Sequence, residues 1–498
     1  MTGWPDVPAI YEVNTAVWLD ELSRRTGRPV LLGEVTAADW DAVCPDGIDA
    51  VWLMGVWQRS PAGLEIARDN GELMASFRAA LPDLRDEDVI GSPYCVRRYV
   101  VDDSFGGPAG LAAARRELAA RGRRLVLDYV PNHVAPDHPW VQEHPERFVR
   151  GGPEDLADDP VGWLRVGDSV IAHGRDPYFP PWPDVLQLDA FAPELRAAAA
   201  ATLGDIAEQC DGIRCDMAML MTNDVFAKTW GGRTGPAPAE EFWPEVIAAL
   251  RAAHPDTVLL AEAYWDMEWT LQQQGFAFCY DKRLYDRLLA VAGGGPQPVR
   301  DHLRAEVGYQ ARLVRFLENH DEPRVASRAG RELERAAAVT IATLPGATLW
   351  HEGQFEGRLV RPPVFLRRRP DEAADPTLAA WYRNLVGSVA ERGIRTGDWR
   401  LLEATGWPDN TSCGNLLAWT WSGRSGSGPH VVVVNASDQP AEGRVRLPWP
   451  ELAGRQLRFH DPIADVELDR DGDELLDPGL YVALAAWQYH VLTGSAGF

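Results

Sequence analysis

The stretch Gly110–His133, GLAAARRELAARGRRLVLDYVPNH, holds the pattern that decides the fold. Its first half, Gly110–Arg121, is an Ala/Arg/Leu-rich helical segment, and its second, Arg124–Val130, is a short apolar run that stops at Pro131. A short apolar run bounded by helices reads as a parallel strand buried on both faces. The same unit recurs along the chain. Runs at Ala9–Val13, Ala50–Met54, Gly212–Met217, Thr257–Ala261, Phe276–Tyr280, Arg312–Leu317 and Ala347–Trp350 alternate with helical stretches such as Ala192–Gln209, Pro244–Ala253 and Glu332–Thr343. Eight strand–helix units over roughly 390 residues predict an α/β fold, a (β/α)8 TIM barrel. An open doubly wound sheet would carry a G-x-G-x-x-G turn after its first strand, and none is present.

Two segments break the alternation. After the third run, Val134–Leu186 is rich in Pro, Asp, His and Trp and lacks helical periodicity, which predicts a functional loop or small subdomain. Beyond a helix near Leu378–Val389 the pattern becomes short and strand-like, at Leu416–Ser422, His430–Ala436, Gly443–Leu447, Leu457–His460 and Leu480–Leu492, with turns at Gly423–Gly428 and Asp438–Pro440. This predicts a C-terminal antiparallel β-sandwich. The expected division is a barrel over 1–133 and 187–397, a loop-three insertion over 134–186, and a β domain over 398–498.

The chain of 498 residues carries 73 acidic against 49 basic residues, a formal charge of −24. That balance repels nucleic acid and anionic membrane surfaces and suits an uncharged ligand. Lysine is nearly absent, with only Lys228 and Lys282, and no Gly-Lys pair exists, so a Walker A phosphate loop is excluded. The six cysteines form no C-x-x-C pair, Met1–Ile10 has no leader character, and no apolar run approaches membrane-spanning length. A cytoplasmic protein with free thiols is expected, with Cys210 and Cys215 packing as small hydrophobes.

In a parallel barrel the chemistry gathers at the C-terminal strand ends. Four ends are rich in polar groups: Asp128–His133 (DYVPNH), Gly212–Asp216 (GIRCD), Ala261–Trp265 (AEAYW) and Glu318–Glu322 (ENHDE). They bring Asp216, Glu262 and Asp321 toward one face with Arg214, His133 and His320. A lone Asp or Glu at a strand end is commonly a helix cap, and a lone His an ordinary hydrogen-bonding residue. Four such ends together are equipment for acid–base or covalent chemistry on an uncharged substrate. A metal-dependent hydrolase built on His133, His320 and Asp128 is disfavoured, because no H-E-x-x-H or comparable spacing appears.

In order and spacing these four segments resemble the motifs of the α-amylase family of glycoside hydrolases and transglycosylases. Gln187-Leu188-Asp189 is similar to the motif closing that family's loop-three subdomain, and Gly91–Gly107, with Tyr94, Tyr99 and Phe105-Gly106-Gly107, to its segment between strands two and three. The resemblance implies Asp216 as nucleophile, Glu262 as general acid/base and Asp321 as transition-state stabiliser. It further implies that Tyr94, Asp128, His133, Arg214 and His320 bind substrate, an α-glucoside oligosaccharide or polysaccharide, with no nucleic acid or membrane partner. Retaining double displacement needs a carboxylate below the anomeric carbon and a proton donor at the leaving oxygen. The Arg214 charge is expected to lower the pKa of Asp216, and a less polar or carboxylate-rich setting to raise that of Glu262. The alternative is a catalytically inactive amylase-like binding or structural protein; such proteins typically lose one of the three carboxylates, and all are present here.

The chain departs from the family pattern in three places. Cys95 stands where the family often has Asp after the stacking tyrosine, followed by Arg97 and Arg98. Asn132 is the only clear match to the family's calcium ligands, so no metal or other cofactor is expected. Arg358, Arg361 and Arg367–Arg369 follow the eighth strand. They read either as a solvated basic loop or as contacts to an anionic acceptor. Trp57, Trp140, Trp163, Trp182, Trp265 and Trp269 are candidate sugar platforms, of which a minority is expected to touch substrate.

Overall fold

The computed structural model describes residues 3–423 and 428–494. Eight strands close a parallel TIM barrel: β1 (Ala9–Asn14), β2 (Ala50–Met54), β3 (Arg124–Tyr129), β4 (Gly212–Cys215), β5 (Val258–Ala261), β6 (Phe278–Tyr280), β7 (Leu313–Arg315) and β8 (Ala347–His351). Each pairs with its sequence neighbour, and β8 returns to β1 through Ala9↔Thr348 to Glu12↔His351. Side chains alternate along each strand. Ile10, Trp52, Val126, Leu260, Phe278, Val314 and Leu349 fill the barrel interior. Their neighbours Tyr11, Val51, Leu125, Leu127, Leu259, Cys279 and Trp350 pack in the layer beneath the helices. Both faces are dry, which is why the sequence shows continuous apolar runs.

The helices lie close to where their periodicity places them, including Gly107–Ala120, Pro193–Ala207, Phe242–Ala253, Arg331–Thr343 and Pro376–Glu391. The last shows how local chemistry starts a helix. Asp375 accepts hydrogen bonds from the Thr377 and Leu378 N–H groups, and proline occupies the first helical position, where no N–H is needed.

Between β3 and β4 the chain builds a small antiparallel sheet. Its strands run His133–Val134, Trp182–Gln187, Ser169–Gly174 and Arg150–Gly151 in spatial order, with Trp163–Val166 paired to Ser169–Gly174. The insertion is therefore a folded subdomain. Its strands are short, and Trp163–Val166 is buried mainly at its first residue, so no long period marks it in sequence.

The C-terminal region is a sandwich. Six strands order as Trp399–Leu402, Leu416–Trp421, His430–Asn435, Tyr489–Gly494, Gln456–Asp461 and Val466–Asp471, facing a sheet of Ala404–Thr405, Ala441–Val445 and Leu480–Leu484. Leu416, Ala418, Val431 and Val433 face the second sheet, while Leu417, Trp419, Trp421, Val432 and Val434 join the barrel-side core. Trp421 Nε1 donates to the Thr343 carbonyl at 2.8 Å, and Arg300 Nη2 donates to those of Gly414 and Leu416. The larger sheet is thus a middle layer, buried on both sides. Of the expected turn at Gly423–Gly428, residues 424–427 lie outside the described residues. All six thiols are free, and Cys210 and Cys215 are buried as small hydrophobes. Among the described residues, no helix is long and apolar enough to cross a membrane.

Candidate active site

The parallel ladder continues one residue past the ends of β4 and β5 and so fixes two carboxylates. Asp216 N–H donates to the Tyr129 carbonyl at 2.8 Å, and Glu262 N–H donates to the Cys215 carbonyl at 3.0 Å. Arg214 precedes Asp216 by two residues and shares its face of the strand. It is paired across the ladder with Asp128 on β3 and is 1% exposed.

One guanidinium organises the floor of the site. Arg214 Nη1 donates to Asp216 Oδ1 at 2.7 Å and lies 3.6 Å from Asp128 Oδ1, while Nη2 lies 2.7 Å from Glu262 Oε2. The rings of Trp52, Tyr94 and Tyr280 surround the cation at 5.2, 5.3 and 5.8 Å. Asp128 is fixed in turn by Trp52 Nε1 and the Gly55 N–H, both donating to Oδ2 at 3.1 Å. A planar fork suits this task, because it offers separate donors to several carboxylates at once.

Glu262 receives the Met217 N–H on Oε2 at 2.7 Å and the Tyr264 hydroxyl on Oε1 at 2.9 Å. Met217 takes a left-handed backbone (φ 40) to present that N–H, an uncommon conformation for a residue with a Cβ. Burial pushes the Glu262 pKa up to about 7; Arg214 pulls against it, and the Asp216 and Asp321 charges reinforce it. The expectation for Asp216 needs correction. Its pKa is raised, because burial outweighs the opposing pull of Arg214, and Asp321 and Asp128 add repulsion.

The loop after β7 supplies the third carboxylate. Asn319 is fully buried, and its Oδ1 accepts the N–H groups of Asp321 and Glu322, a local turn that projects Asp321 to the mouth with its side chain 44% exposed. His320 Nε2 lies 2.9 Å from Asp321 Oδ2 and 2.6 Å from the Tyr94 hydroxyl, while Nδ1 contacts Glu12 Oε1. Burial opposes a charge on His320, yet Asp321 and Glu12 outweigh it and hold the ring as imidazolium. Burial likewise opposes a charge on Asp321, and His320 outweighs it, keeping that carboxyl far below its ordinary pKa.

Arg214, Asp128, Asp216, Glu262, Tyr94, His320 and Asp321 therefore form one connected constellation. Tyr94 stacks on His320 with ring centroids 5.3 Å apart and planes 21° apart. His133 sits beside it, 5% exposed and edge-on to Trp182; burial lowers its pKa to about 4, so it is neutral. Sequence reasoning missed Glu12, Tyr264 and Tyr280. Glu12 did leave a signal, a lone carboxylate inside the fully buried β1.

Other expectations separate. Cys95 is buried, and its Sγ donates to the Asp184 carbonyl at 3.0 Å, whereas Arg97 Nε pairs with Asp137 at 3.3 Å. The arginines Arg367–Arg369 are held in ion pairs, Arg368 and Arg369 largely buried and Arg367 exposed to solvent. Arg367 pairs with Asp20, Arg368 with Asp83 and Asp88, and Arg369 with Glu21 and Glu352. Arg358 and Arg361 donate to the carbonyls of Glu372 and Asp321. Trp57 is a core residue whose Nε1 donates to the Asp128 carbonyl at 2.7 Å, and Trp163 is buried against Trp230. Asn132 is buried, and its Oδ1 accepts from Gln187 Nε2 at 2.8 Å. No group of three His, Cys, Asp or Glu residues suited to a metal occurs among the described residues.

The chain has relatives among known proteins. α-Amylase MalA of Haloarcula japonica is 26% identical over 360 residues, covering 71% of this chain and 45% of that protein. By sequence and by fold, the chain is related to the α-amylase family. An α-1,4-glucan:maltose-1-phosphate maltosyltransferase of Burkholderia pseudomallei is 28% identical over 300 residues, 54% of this chain and 21% of that protein. The matches therefore span less than half the length of these α-amylase-family relatives. Two family structures superpose along nearly the whole chain. A maltogenic α-amylase from Thermotoga neapolitana gives a TM-score of 0.69 at 20% identity, covering 99% of each chain. An α-amylase from Geobacillus thermoleovorans complexed with acarbose gives 0.69 at 18%, covering 100% of each. These likenesses carry the fold of the family. No protein-family model matches the chain.

Proposed function

We propose that this protein is a retaining α-glucosidic-bond enzyme acting on oligo- or polysaccharides by double displacement. The observation that carries the reading is the pair of carboxyls around Arg214: a buried Glu262 whose pKa is pushed up to about 7 beside an Asp216 hydrogen-bonded to the cation. A carboxyl that can give up a proton beside a second one held by a cation is what the two steps require.

In the first step Asp216 attacks the anomeric carbon as the glycosidic C–O bond breaks, and Glu262 gives its proton to the departing oxygen. In the second, Glu262 as carboxylate takes a proton from water or from an acceptor hydroxyl, whose oxygen displaces Asp216 and restores both groups. Asp321, ionised by His320, stabilises the positive charge that builds on the ring between these states. Arg214 limits the repulsion among Asp128, Asp216 and Glu262. Tyr94, Asp128, His133 and His320 hold the reacting sugar. Capture by water gives hydrolysis and capture by a sugar hydroxyl gives transfer; the names of the relatives cover both outcomes. Free thiols suit a reducing compartment, and we assign the protein to the cytoplasm.

The test is product analysis with maltooligosaccharides, sucrose and trehalose, with and without added acceptor, following anomeric configuration by NMR. The reading expects products of retained α configuration and loss of turnover in Asp216→Ala. Inverted products, or near-normal turnover in that variant, overturn it. An inactive binding protein would show no turnover of any of these sugars.

A further inference from the structure

Behind the catalytic wall lies a buried charge cluster that neither step of the reaction uses. Glu318 and Arg324 are fully buried, and they stand at the two ends of the loop that follows β7. Arg324 Nη1 donates to Glu318 Oε1 at 2.7 Å, and the Val325 N–H donates to Glu318 Oε2 at 2.7 Å. Both oxygens of the carboxylate that opens the loop are therefore held by groups that end it. The loop is closed into a ring, and His320 and Asp321 lie between its joined ends.

The same guanidinium ties this ring to the neighbouring strand. Arg324 Nη1 also donates to the Glu352 carbonyl at 2.6 Å, one residue past the end of β8. His351, the last residue of β8, places Nδ1 2.9 Å from Arg324 Nη1 and 3.2 Å from Glu318 Oε1. The backbone leaves room for the cation at Gly353, which takes a left-handed conformation (φ 87). A Cβ there would come within 3.2 Å of Arg324 Nη2.

Stability alone gives a weak reason for such a pair, because taking two charges out of water offsets much of their attraction. Position gives a stronger one. Asp216 and Glu262 are fixed by the strand ladder through their own N–H groups. Asp321 has no such support: it lies six residues beyond Arg315, where β7 ends, and its side chain is 44% exposed. Asn319 shapes the turn from inside, whereas Glu318 and Arg324 fix that turn to the barrel.

We infer that Glu318 and Arg324 form a clamp of positioning residues, which holds Asp321 and His320 in register with Asp216 and Glu262 for the transition state. This rests on the double-displacement reading for the role of Asp321 and extends it to two residues outside the reacting groups.

The test compares Arg324→Lys, Glu318→Gln and the double variant Glu318→Gln/Arg324→Met, in which neither charge of the pair is left behind. Arg300→Met is the control, a buried arginine whose contacts are with the β-sandwich. Each variant is assayed on maltopentaose at a temperature where circular dichroism shows it folded. In the clamp variants kcat should fall roughly ten- to a hundredfold with KM changed by less than about threefold, the pattern of a displaced group that acts only in the transition state. Arg300→Met should keep the wild-type kcat. A second readout needs no turnover. Asp321 Oδ2 lies 2.9 Å from His320 Nε2, so an NMR titration should show the His320 pKa lowered in the clamp variants and unchanged in Arg300→Met. Wild-type kcat in the double variant, or an equal loss of kcat in Arg300→Met, overturns the inference and leaves double displacement intact. If the wild type turns over no sugar, the double-displacement reading falls. The His320 titration then decides the clamp by itself: an unchanged pKa in the clamp variants overturns it, and a lowered one supports it.

Discussion

Glu262→Gln offers a worked test of the environment on which the chemistry depends. Glutamine keeps the shape of a protonated glutamate. Its carbonyl can accept the Met217 N–H, and its amide can donate to the Tyr264 hydroxyl, so the hydrogen bonds at 2.7 and 2.9 Å have replacements. What disappears is the titration. In the folded protein the carboxyl binds its proton up to about pH 7, whereas the ordinary value is 4.5. Between those values the native state holds a proton that the unfolded chain has released, so stability falls as pH rises through this window. At about 1.4 kcal/mol per tenfold change in proton affinity, the full cost is roughly 3 kcal/mol. Because Glu262 is 2% exposed, solvent screening takes little from this figure. The variant should therefore match the wild type within about 1 kcal/mol at pH 5 and exceed it by about 3 kcal/mol at pH 8. Urea denaturation at the two pH values, followed by tryptophan fluorescence, reads the difference. A gain of equal size at both values, or destabilisation at pH 8, refutes the reasoning.

Other consequences follow from the same contacts. The alkaline limb of kcat/KM should fall near pH 7 as Glu262 loses its proton; a limb above pH 9 in a pH–rate profile contradicts its role as acid. Arg214→Lys replaces a fork by a single ammonium that cannot serve Asp216 and Glu262 together. Steady-state kinetics should show at least about a hundredfold loss in kcat/KM, since each charge-assisted contact is worth roughly 1.5–3 kcal/mol. Glu12→Gln removes one of the two carboxylates that keep His320 charged, so the His320 pKa read by NMR should fall; an unchanged value contradicts the pairing. Arg369→Met leaves Glu352 buried without that partner and should cost roughly 3–5 kcal/mol in urea denaturation, without changing the preference among acceptors.

The barrel was legible because its strands are dry on both sides. Runs such as Arg124–Val130 stand out when neither face must be polar, and all eight coincide with strands. The insertion was not legible as a sheet, because two-residue strands such as His133–Val134 and Arg150–Gly151 carry no period. Val466–Asp471 escaped for a related reason. It is an edge strand, VELDRD, with four exposed residues and only Leu468 turned to the core, so its register is set by pairing with Gln456–Asp461 and leaves little hydrophobic mark.

At the site, strand-end position gave the three carboxylates, because the register of β4 and β5 carries directly to Asp216 and Glu262. Their proton affinities were harder to read. Arg214 was correctly placed against Asp216, but sequence does not weigh that pull against full burial, and burial wins. Arg367–Arg369 misled because a row of like charges looks solvated until its partners, Asp20, Glu21, Asp83 and Asp88, are known from far earlier in the chain. Glu12 shows the opposite case, where one charged residue in a buried strand had a specific partner 308 positions away.

The most direct measurement is to trap the intermediate. A fluoride leaving group needs no proton donor, whereas release from the enzyme needs Glu262 as base. Incubating Glu262→Gln with α-glucosyl fluoride and mapping peptides by mass spectrometry should place one glucosyl residue on Asp216. An adduct on a different carboxylate, or release of sugar with inverted configuration and no adduct, would contradict the account.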